Sequence, residues 1–431
     1  MNQIAANWKA ASIERVRPSA AQRLARRILL SRLKGLSRGR LEIRDAQGRW
    51  TFGAEDASLS ARVEVSDPRF YTSLLLGGSV GAGESYMRGE WTSEDLTGLV
   101  RIMVLNRKLQ GRMESGLAHL FKVLQSLHHW LHKNTVRGSR RNIAAHYDLG
   151  NDFFRLFLSS DMMYSCALYR SADDTLEEAS RNKLDTICRK LELSPRDHLL
   201  EIGTGWGGMA LHAARRYGCR VTTATISRRQ YDWTVRRVRQ AGLQDRIRVL
   251  LEDYRRLSGR FDKLVSIEMI EAVGHQYFDA YFEECSRLLK PEGMMLLQAI
   301  TISDPFFNQA KRNVDFIKRY IFPGSCLPSV SAICDSLSRV TDLKLFHLDD
   351  ITPHYARTLR DWRQRFFDHI EQVRRQGFPE QFVRMWEFYL CYCEAGFAER
   401  YIGDVQMLLT KPMCRRPALA GGPPGGTDIR P

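Results

Sequence analysis

Glu201-Ile202-Gly203-Thr204-Gly205-Trp206-Gly207-Gly208 is the stretch of this 431-residue chain whose residue types and spacing speak most directly of chemistry. Glycines admit positive φ and let backbone approach a ligand closely. The string satisfies G-x-G-x-x-G, so a dinucleotide oxidoreductase has to be weighed. Against that reading, no Asp or Glu ends the next apolar segment, Thr222-Thr223-Ala224-Thr225-Ile226, where a nicotinamide cofactor's ribose usually finds a carboxylate.

The elements that must carry this turn alternate in type. HLLEIG from residue 198 reads as a short buried strand and GMALHAARRYG as a helix stopped by Gly218. CRVTTATI is a second strand, and SRRQYDWTVRRVRQAG a helix ending at Gly242. RIRVLL, FDKLVSI, a helix over 275–289 and the apolar strand MMLLQAIT at 294–301 follow. This order predicts an α/β fold with a doubly wound, mostly parallel sheet covered on both faces, and the glycine turn at its ligand-binding switch point. The E-x-G-x-G turn, with Glu252-Asp253 after the third strand, resembles the S-adenosylmethionine pocket of Rossmann-like class I methyltransferases. Gln230, three residues after Ser227, has a plainer use as part of a capping box.

Composition bounds the rest. The length allows about two or three domains, and 44% apolar residues can fill a core. No apolar run reaches the roughly 18 residues of a membrane-spanning helix, and MNQIAANWKAASIERVRPSA lacks the features of a secretory signal. A cytoplasmic protein, peripheral at the inner face of the membrane, is therefore expected. The nine cysteines are scattered with no C-x-x-C pair, so they read as reduced thiols and no structural metal is expected. Of the formal net charge of +16, residues 1–40 carry +9 and residues 101–141 carry +8. Basicity confined to two segments suggests a polyanion met by one face, and both nucleic acid and anionic lipid qualify.

Residues 18–36, PSAAQRLARRILLSRLKGL, place Ala21, Leu24, Ala25, Ile28, Leu29, Leu33 and Leu36 on one helical stripe with arginines around it. Two readings are open: a helix lying in a lipid headgroup layer, or one docked on its own domain with a solvated basic face. Strand-like pieces at 41–65 and a glycine-rich turn region, GGSVGAGESYMRGEW at 77–91, complete a small α+β domain over residues 1–125, expected to meet lipid. Residues 126–141, including the basic KNTVRGSRR, read as a linker, residues 142–412 as the catalytic domain, and the Pro/Gly-rich 413–431 as a disordered tail.

Six strings in order across about 142–412 resemble the cyclopropane fatty acid synthase family, which includes the mycolic acid cyclopropane synthases. They are NIAAHYDLGNDFFRLFLSSDMMYSCALY, LEIGTGWGGMALHAARRYG, SIEMIEAVGHQYFDAYF, DFIKRYIFPGSCLPS, DDITPHYARTLRDW and YCEAGFAERYIGDVQMLL. GGSVGAGESYMRGEW also resembles the N-terminal domain of the longer bacterial members that act on membrane phospholipids. The resemblance implies S-adenosylmethionine and bicarbonate as cofactors, and unsaturated phospholipid acyl chains as substrate. An alkene is a poor nucleophile, so its methylation needs the sulfonium methyl held in line in a dry channel. Attack leaves a carbocation, and ring closure needs a base that is not itself alkylated.

The same resemblance implies bicarbonate ligands at Cys166, Glu271, the backbone of Ile300, and Tyr355. Glu271 would accept the bicarbonate hydroxyl, while Cys166 and Tyr355 would donate to the anion. It implies cofactor contacts from Tyr164, Ser165, Gly203, Gly205, Thr225 and Gln230, with Glu201 orienting the turn and Asp253 or Tyr254 near the adenine. Phe316 and Tyr320 are expected to line the acyl channel; aromatics at this density also serve as ordinary core. One departure stands out: relatives commonly carry L-H-T-I where this chain has Leu297-Gln298-Ala299-Ile300. Gln occurs there in some relatives, plant-type enzymes included. Gln298 can donate an amide hydrogen bond to bicarbonate but carries neither proton nor charge. If the proton were lost from another carbon, the product would be methyl-branched or a methylene chain. A nucleic-acid-binding methyltransferase is the rival suggested by charge alone, and no RRM, KH or zinc-knuckle signature supports it, so no nucleic acid partner is expected. A catalytically dead lipid-surface scaffold is disfavoured by the intact Cys166, Glu271 and Tyr355. A homodimer would set two basic faces on one bilayer.

Overall fold

The computed structural model describes residues 17–107 and 149–417. The chain divides into two compact units, one comprising Met1–Leu131, Asn313–Ile321 and Glu371–Tyr401, the other His132–Arg312, Phe322–Ile370 and Ile402–Pro431. The expected linker at 126–141 lies outside the described residues, as does most of the tail expected to be disordered. Two segments of the 142–412 block belong to the first unit instead. The helix Glu380–Ala398 explains why: it buries Trp386, Phe388, Tyr389 and Leu390 there. Its Arg384 donates to the carbonyl of Trp91 at 2.8 Å, and its Glu387 accepts from Tyr86 at 2.6 Å.

In the first unit, α1 (Ala20–Leu33), β1 (Arg40–Asp45), β2 (Gly48–Gly53), β3 (Ser60–Val65), α2 (Arg69–Met87), β4 (Trp91–Ser93) and α3 (Leu96–Leu105) form an α+β fold. Its sheet has the order β2-β1-β3-β4. A Ser19/Gln22 capping box starts α1. Ala25, Leu29, Leu33 and Leu36 are buried and Ile28 partly so, which docks this side of the apolar stripe within the unit, while Ala21 and Leu24 of the same stripe stay exposed. Arg26 is withdrawn too, bonded to Asp45 at 2.6 Å and stacked 4.1 Å from the Trp50 ring. Arg23, Leu24, Arg27 and Lys34 remain exposed.

The glycine-rich 77–91 segment is not a turn region: α2 runs through it to Met87, with a kink where Gly78 takes φ 54°. Two of its glycines serve close packing. A Cβ on Gly81 would lie 1.9 Å from the Ser73 carbonyl oxygen, and one on Gly83 would lie 2.2 Å from the ring of Phe316.

The second unit holds a seven-stranded sheet of order β10-β11-β9-β8-β5-β6-β7. Its strands are β5 (His198–Ile202), β6 (Arg220–Thr225), β7 (Ile247–Leu251), β8 (Phe261–Ile267), β9 (Leu289–Ile302), β10 (Lys344–Asp350) and β11 (Ile402–Thr410). β9, β8, β5, β6 and β7 run parallel, while β11 pairs antiparallel with both β9 and β10. The main helices are α4 (Leu176–Lys190), α5 (Gly208–Tyr217), α6 (Arg228–Gln240), α7 (Phe278–Leu288), α8 (Val330–Val340) and α9 (Thr352–Asp368). Strand alternation splits the core into two layers. Leu199, Val265, Leu296 and Leu408 pack with α4 and α5, whereas Leu200, Leu264, Leu297 and Met407 pack with α7 and α8. The expected α/β fold is thus the one observed, with β5 and β8 meeting at the switch point. Among the described residues, no helix is long and apolar enough to cross a membrane.

Candidate active site

The glycine turn leaves the carboxyl end of β5 and enters α5 through three positive-φ glycines, Gly203 at 99°, Gly205 at 51° and Gly207 at 83°. A Cβ on Gly207 would press on Thr234 at 2.6 Å, whereas one on Gly205 would meet nothing within 4 Å. The turn is therefore tight beneath and open above Gly205, as close approach of a ligand requires. Glu201 anchors it from below. The Thr223 hydroxyl donates to Glu201 Oε2 at 2.6 Å and lies 2.7 Å from the Thr204 hydroxyl in the turn. Burial pushes the Glu201 carboxyl up to about 8.

At the end of β6, Thr225 donates to Gln230 Oε1 at 2.9 Å, and the Ser227 hydroxyl caps α6 by accepting the Gln230 N–H at 3.4 Å. Only half of a capping box forms, because the Gln230 side chain turns to Thr225. After β7, Asp253 is buried in a two-pronged pair with Arg255 at 2.7 and 2.8 Å. Tyr254 packs edge-on to Tyr281, ring centroids 5.5 Å apart. Tyr164 joins an aromatic block with Phe154, at 5.3 Å, and Trp362, at 5.2 Å. Trp206 of the turn lies 4.9 Å from Phe154 in the same block. These residues suit S-adenosylmethionine: an open glycine turn, neutral polar groups at the ends of β5 and β6, and aromatic walls.

A second constellation lies at the carboxyl ends of β8 and β9. Glu268 follows β8 with φ 47°, a conformation that a residue with a side chain rarely adopts. Its Oε1 accepts the Cys166 N–H and the Gln298 amide, each at 2.8 Å, and its Oε2 accepts the Tyr355 hydroxyl at 2.5 Å. Gln298 gives its second amide hydrogen to Asp404 Oδ2 at 3.1 Å and accepts from Gln406 at 3.0 Å. Strand pairing causes this convergence, since Gln298 on β9 stands beside Ile267 of β8 and Gln406 of β11. Glu271, in the turn after β8, accepts the Ile300 N–H on Oε1 at 2.5 Å. Its Oε2 is buried without a hydrogen-bond partner, and so is Oδ1 of Asp404.

The charge balance of this cluster is lopsided. Of the three carboxyl groups Glu268, Glu271 and Asp404, the first and last feel the buried ammonium of Lys183 of α4, which donates to Ser165 at 2.6 Å. Burial raises all three carboxyls, Glu271 to about 8 and Asp404 well above the ordinary range, with Glu268 adding to both by repulsion. Burial lowers Lys183 while the carboxylates around it pull the other way. Cys166 is a neutral thiol, pushed well up by burial and by the charges of Asp404 and Glu268.

The structure therefore brings Cys166, Glu271, Gln298, Ile300 and Tyr355 together, but their donors are already engaged. The Cys166 N–H, Tyr355 hydroxyl and one Gln298 amide hydrogen go to Glu268, the other Gln298 hydrogen goes to Asp404, and the Ile300 N–H goes to Glu271. A bicarbonate ion does not fit this arrangement, since it would meet three carboxyl groups and would have to displace Glu268. Phe316 and Tyr320 lie on the segment Asn313–Ile321. They belong to the first unit, where Phe316 is fully buried against Phe388, at 4.6 Å, and Tyr320 donates to Glu84 at 2.5 Å. Sequence reasoning missed Glu268, Lys183 and Asp404. Two glutamates three apart after a strand (Glu268 and Glu271), and Asp404 and Gln406 within an otherwise apolar strand, were the available signals.

The family described as mycolic acid cyclopropane synthetase matches residues 134–407. The chain is 38% identical to a tuberculostearic acid methyltransferase of Mycobacterium tuberculosis, over 78% of this chain and 79% of that one. It is 37% identical to the cyclopropane-fatty-acyl-phospholipid synthase of Escherichia coli, over 82% and 88%. Among solved structures it resembles a mycolic acid cyclopropane synthase complexed with S-adenosylhomocysteine, with TM-score 0.59 and 33% identity over 63% of this chain and 98% of the other. A coclaurine N-methyltransferase, 20% identical with TM-score 0.59, shares the fold.

Proposed function

This chain belongs to the mycolic acid cyclopropane synthetase family of S-adenosylmethionine-dependent enzymes, and we propose that it adds a methylene group to the cis double bond of phospholipid acyl chains, forming cyclopropane rings. The observation that carries the reading is the cluster of Cys166, Glu268, Glu271 and Tyr355 in the same unit as an open glycine turn built for the cofactor. Similarity to the Escherichia coli enzyme over 82% of the chain supports the choice of substrate.

Bound S-adenosylmethionine supplies an electrophilic methyl group. Gly203 and Gly205 let the backbone approach it, and Glu201, held neutral by burial, fixes the turn through Thr223 and Thr204. The aromatic block of Phe154, Tyr164 and Trp362 keeps water away from the cofactor turn. Ring closure then takes a proton from the new methyl group. The donors that would hold bicarbonate are spent on Glu268 and Glu271. The exposed Arg23, Arg27 and Lys34 of α1 are the groups we assign to a peripheral, electrostatic contact with the inner face of the membrane.

A second reading, a methyl-branched or methylene product from the same attack, is favoured by the 38% identity to a tuberculostearic acid methyltransferase. Mass spectrometry of fatty acid methyl esters tests both, after incubation of the protein with S-adenosylmethionine and anionic vesicles containing cis-monounsaturated phospholipid. Each product gains one CH2, so hydrogenation or derivatisation must then locate unsaturation. A saturated ring is expected; a retained double bond selects the second reading, and an unchanged mass overturns both.

A further inference from the structure

The four groups expected to hold an external base converge instead on side chains of the protein, and one carboxylate collects most of them. Glu268 receives the Cys166 N–H and a Gln298 amide hydrogen at 2.8 Å and the Tyr355 hydroxyl at 2.5 Å, which is what a bound carbonate ion would receive. A carboxylate and a bicarbonate present the same planar O–C–O edge to such donors. Glu268 is also only partly buried, whereas Asp404 is fully buried and Glu271 nearly so. Its backbone sits at φ 47°, a conformation rare for a side-chain-bearing residue and one that the surrounding bonds must maintain.

We propose that Glu268 is the catalytic base of this enzyme, a built-in carboxylate that occupies the place of bicarbonate and makes turnover independent of it. The proposal rests on the alkene-methylation reading above. In the step it performs, the π pair of the double bond forms a carbon–carbon bond to the methyl carbon while the carbon–sulfur bond breaks and its pair stays on sulfur. A Glu268 carboxylate oxygen then takes a proton from that methyl, and the freed C–H pair closes the ring. Glu268 is left as a neutral acid that releases its proton to water before the next turnover. Burial raises the Glu268 carboxyl, the positive field of Lys183 and the bonds from Tyr355, Cys166 and Gln298 oppose that rise, and Tyr355 and Gln298 aim the carboxylate.

Two measurements on the full-length protein test this. In carbon-dioxide-free buffer, S-adenosylhomocysteine release on anionic vesicles of cis-monounsaturated phospholipid should be the same with and without added bicarbonate. Glu268→Gln should lower it about 100-fold or more, the range of a lost general base, with cofactor affinity unchanged. Glu268→Gly relieves the positive φ and vacates the carboxylate, so its turnover should be restored in part by bicarbonate. The second readout needs no turnover: the line width of 13C-labelled bicarbonate should be unaffected by the wild-type protein and broadened by Glu268→Gly. Bicarbonate-dependent wild-type turnover, bicarbonate binding to the wild-type protein, or an active Glu268→Gln would each overturn the proposal. A wild-type protein that leaves every vesicle unchanged while the binding results hold refutes the alkene-methylation reading and, with it, the base role, leaving only the occupied anion site.

Discussion

Glu201→Gln isolates what a buried carboxyl under the cofactor turn does to stability. Glu201 is 3% exposed, and its carboxyl is pushed from 4.5 to about 8, burial outweighing the Thr223 hydrogen bond and the field of Lys183. Raised in the folded state, it stabilises fully below the unfolded value, and that contribution is lost as pH rises through about 8. Between pH 5.5 and 7.5 only the unfolded chain releases this proton, so folding loses about 1.4 kcal/mol per pH unit, or ~3 kcal/mol over the interval. Gln has no such proton, and its carbonyl can still accept from Thr223. Urea unfolding of both proteins across this range, at equal ionic strength, should show the variant gaining ~3 kcal/mol on the wild type as pH rises. Parallel curves would mean that Glu201 is ionised in the folded protein, which would refute the reading of the turn as held by a neutral acid.

Glu271→Gln should keep the fold and cofactor affinity, because a neutral amide matches a carboxyl held neutral to about 8, and should lower turnover by about 100-fold or more if the unpartnered Oε2 takes part in moving protons. Wild-type turnover in that variant would remove Glu271 from the mechanism. Replacing Arg23, Arg27 and Lys34 together by Gln should weaken binding to anionic vesicles in sedimentation assays, most strongly at low salt; each residue is worth about 1 kcal/mol near such a surface. Affinity equal to wild type at low salt would discard α1 as the contact. Gly83→Ala would set a Cβ 2.2 Å from the fully buried Phe316 ring, and about 1–3 kcal/mol of overpacking strain should appear as a lower thermal midpoint. An unchanged midpoint would show that the ring yields freely.

Local signals carried far in this sequence where function and folding use the same residues. The apolar alternation of HLLEIG, CRVTTATI and MMLLQAIT is the alternation that loads Leu199 and Leu200, or Leu296 and Leu297, onto opposite core layers. The glycine turn is legible because its backbone conformation requires its residue types. Expectation failed where packing overrode composition. Glycines at 77–91 suggested a turn, yet Gly81 and Gly83 are small so that α2 can pass close to the Ser73 carbonyl and the Phe316 ring. Nor could the sequence show the neighbours of Phe316 and Tyr320, since Phe388 and Glu84 lie far away in sequence within the first unit.

The active-site cluster shows the limit of motif reasoning most sharply. Cys166, Glu271 and Tyr355 are individually readable, but what they do depends on which acceptor they face, and that depends on strand register. Pairing of β9 with β8 and β11 sets Gln298 between Glu268 and Asp404, which absorbs both amide hydrogens. Once those donors are spent, another anion would join three carboxyl groups, of which Glu268 and Asp404 feel Lys183, and the electrostatic cost rises with each one that is ionised. The substitution of Gln for the commoner His at residue 298 and the presence of Glu268 are then one feature rather than two. A neutral amide that donates twice suits a site that carries its own carboxylate, whereas a histidine offers a single N–H in its neutral form, too few for both acceptors.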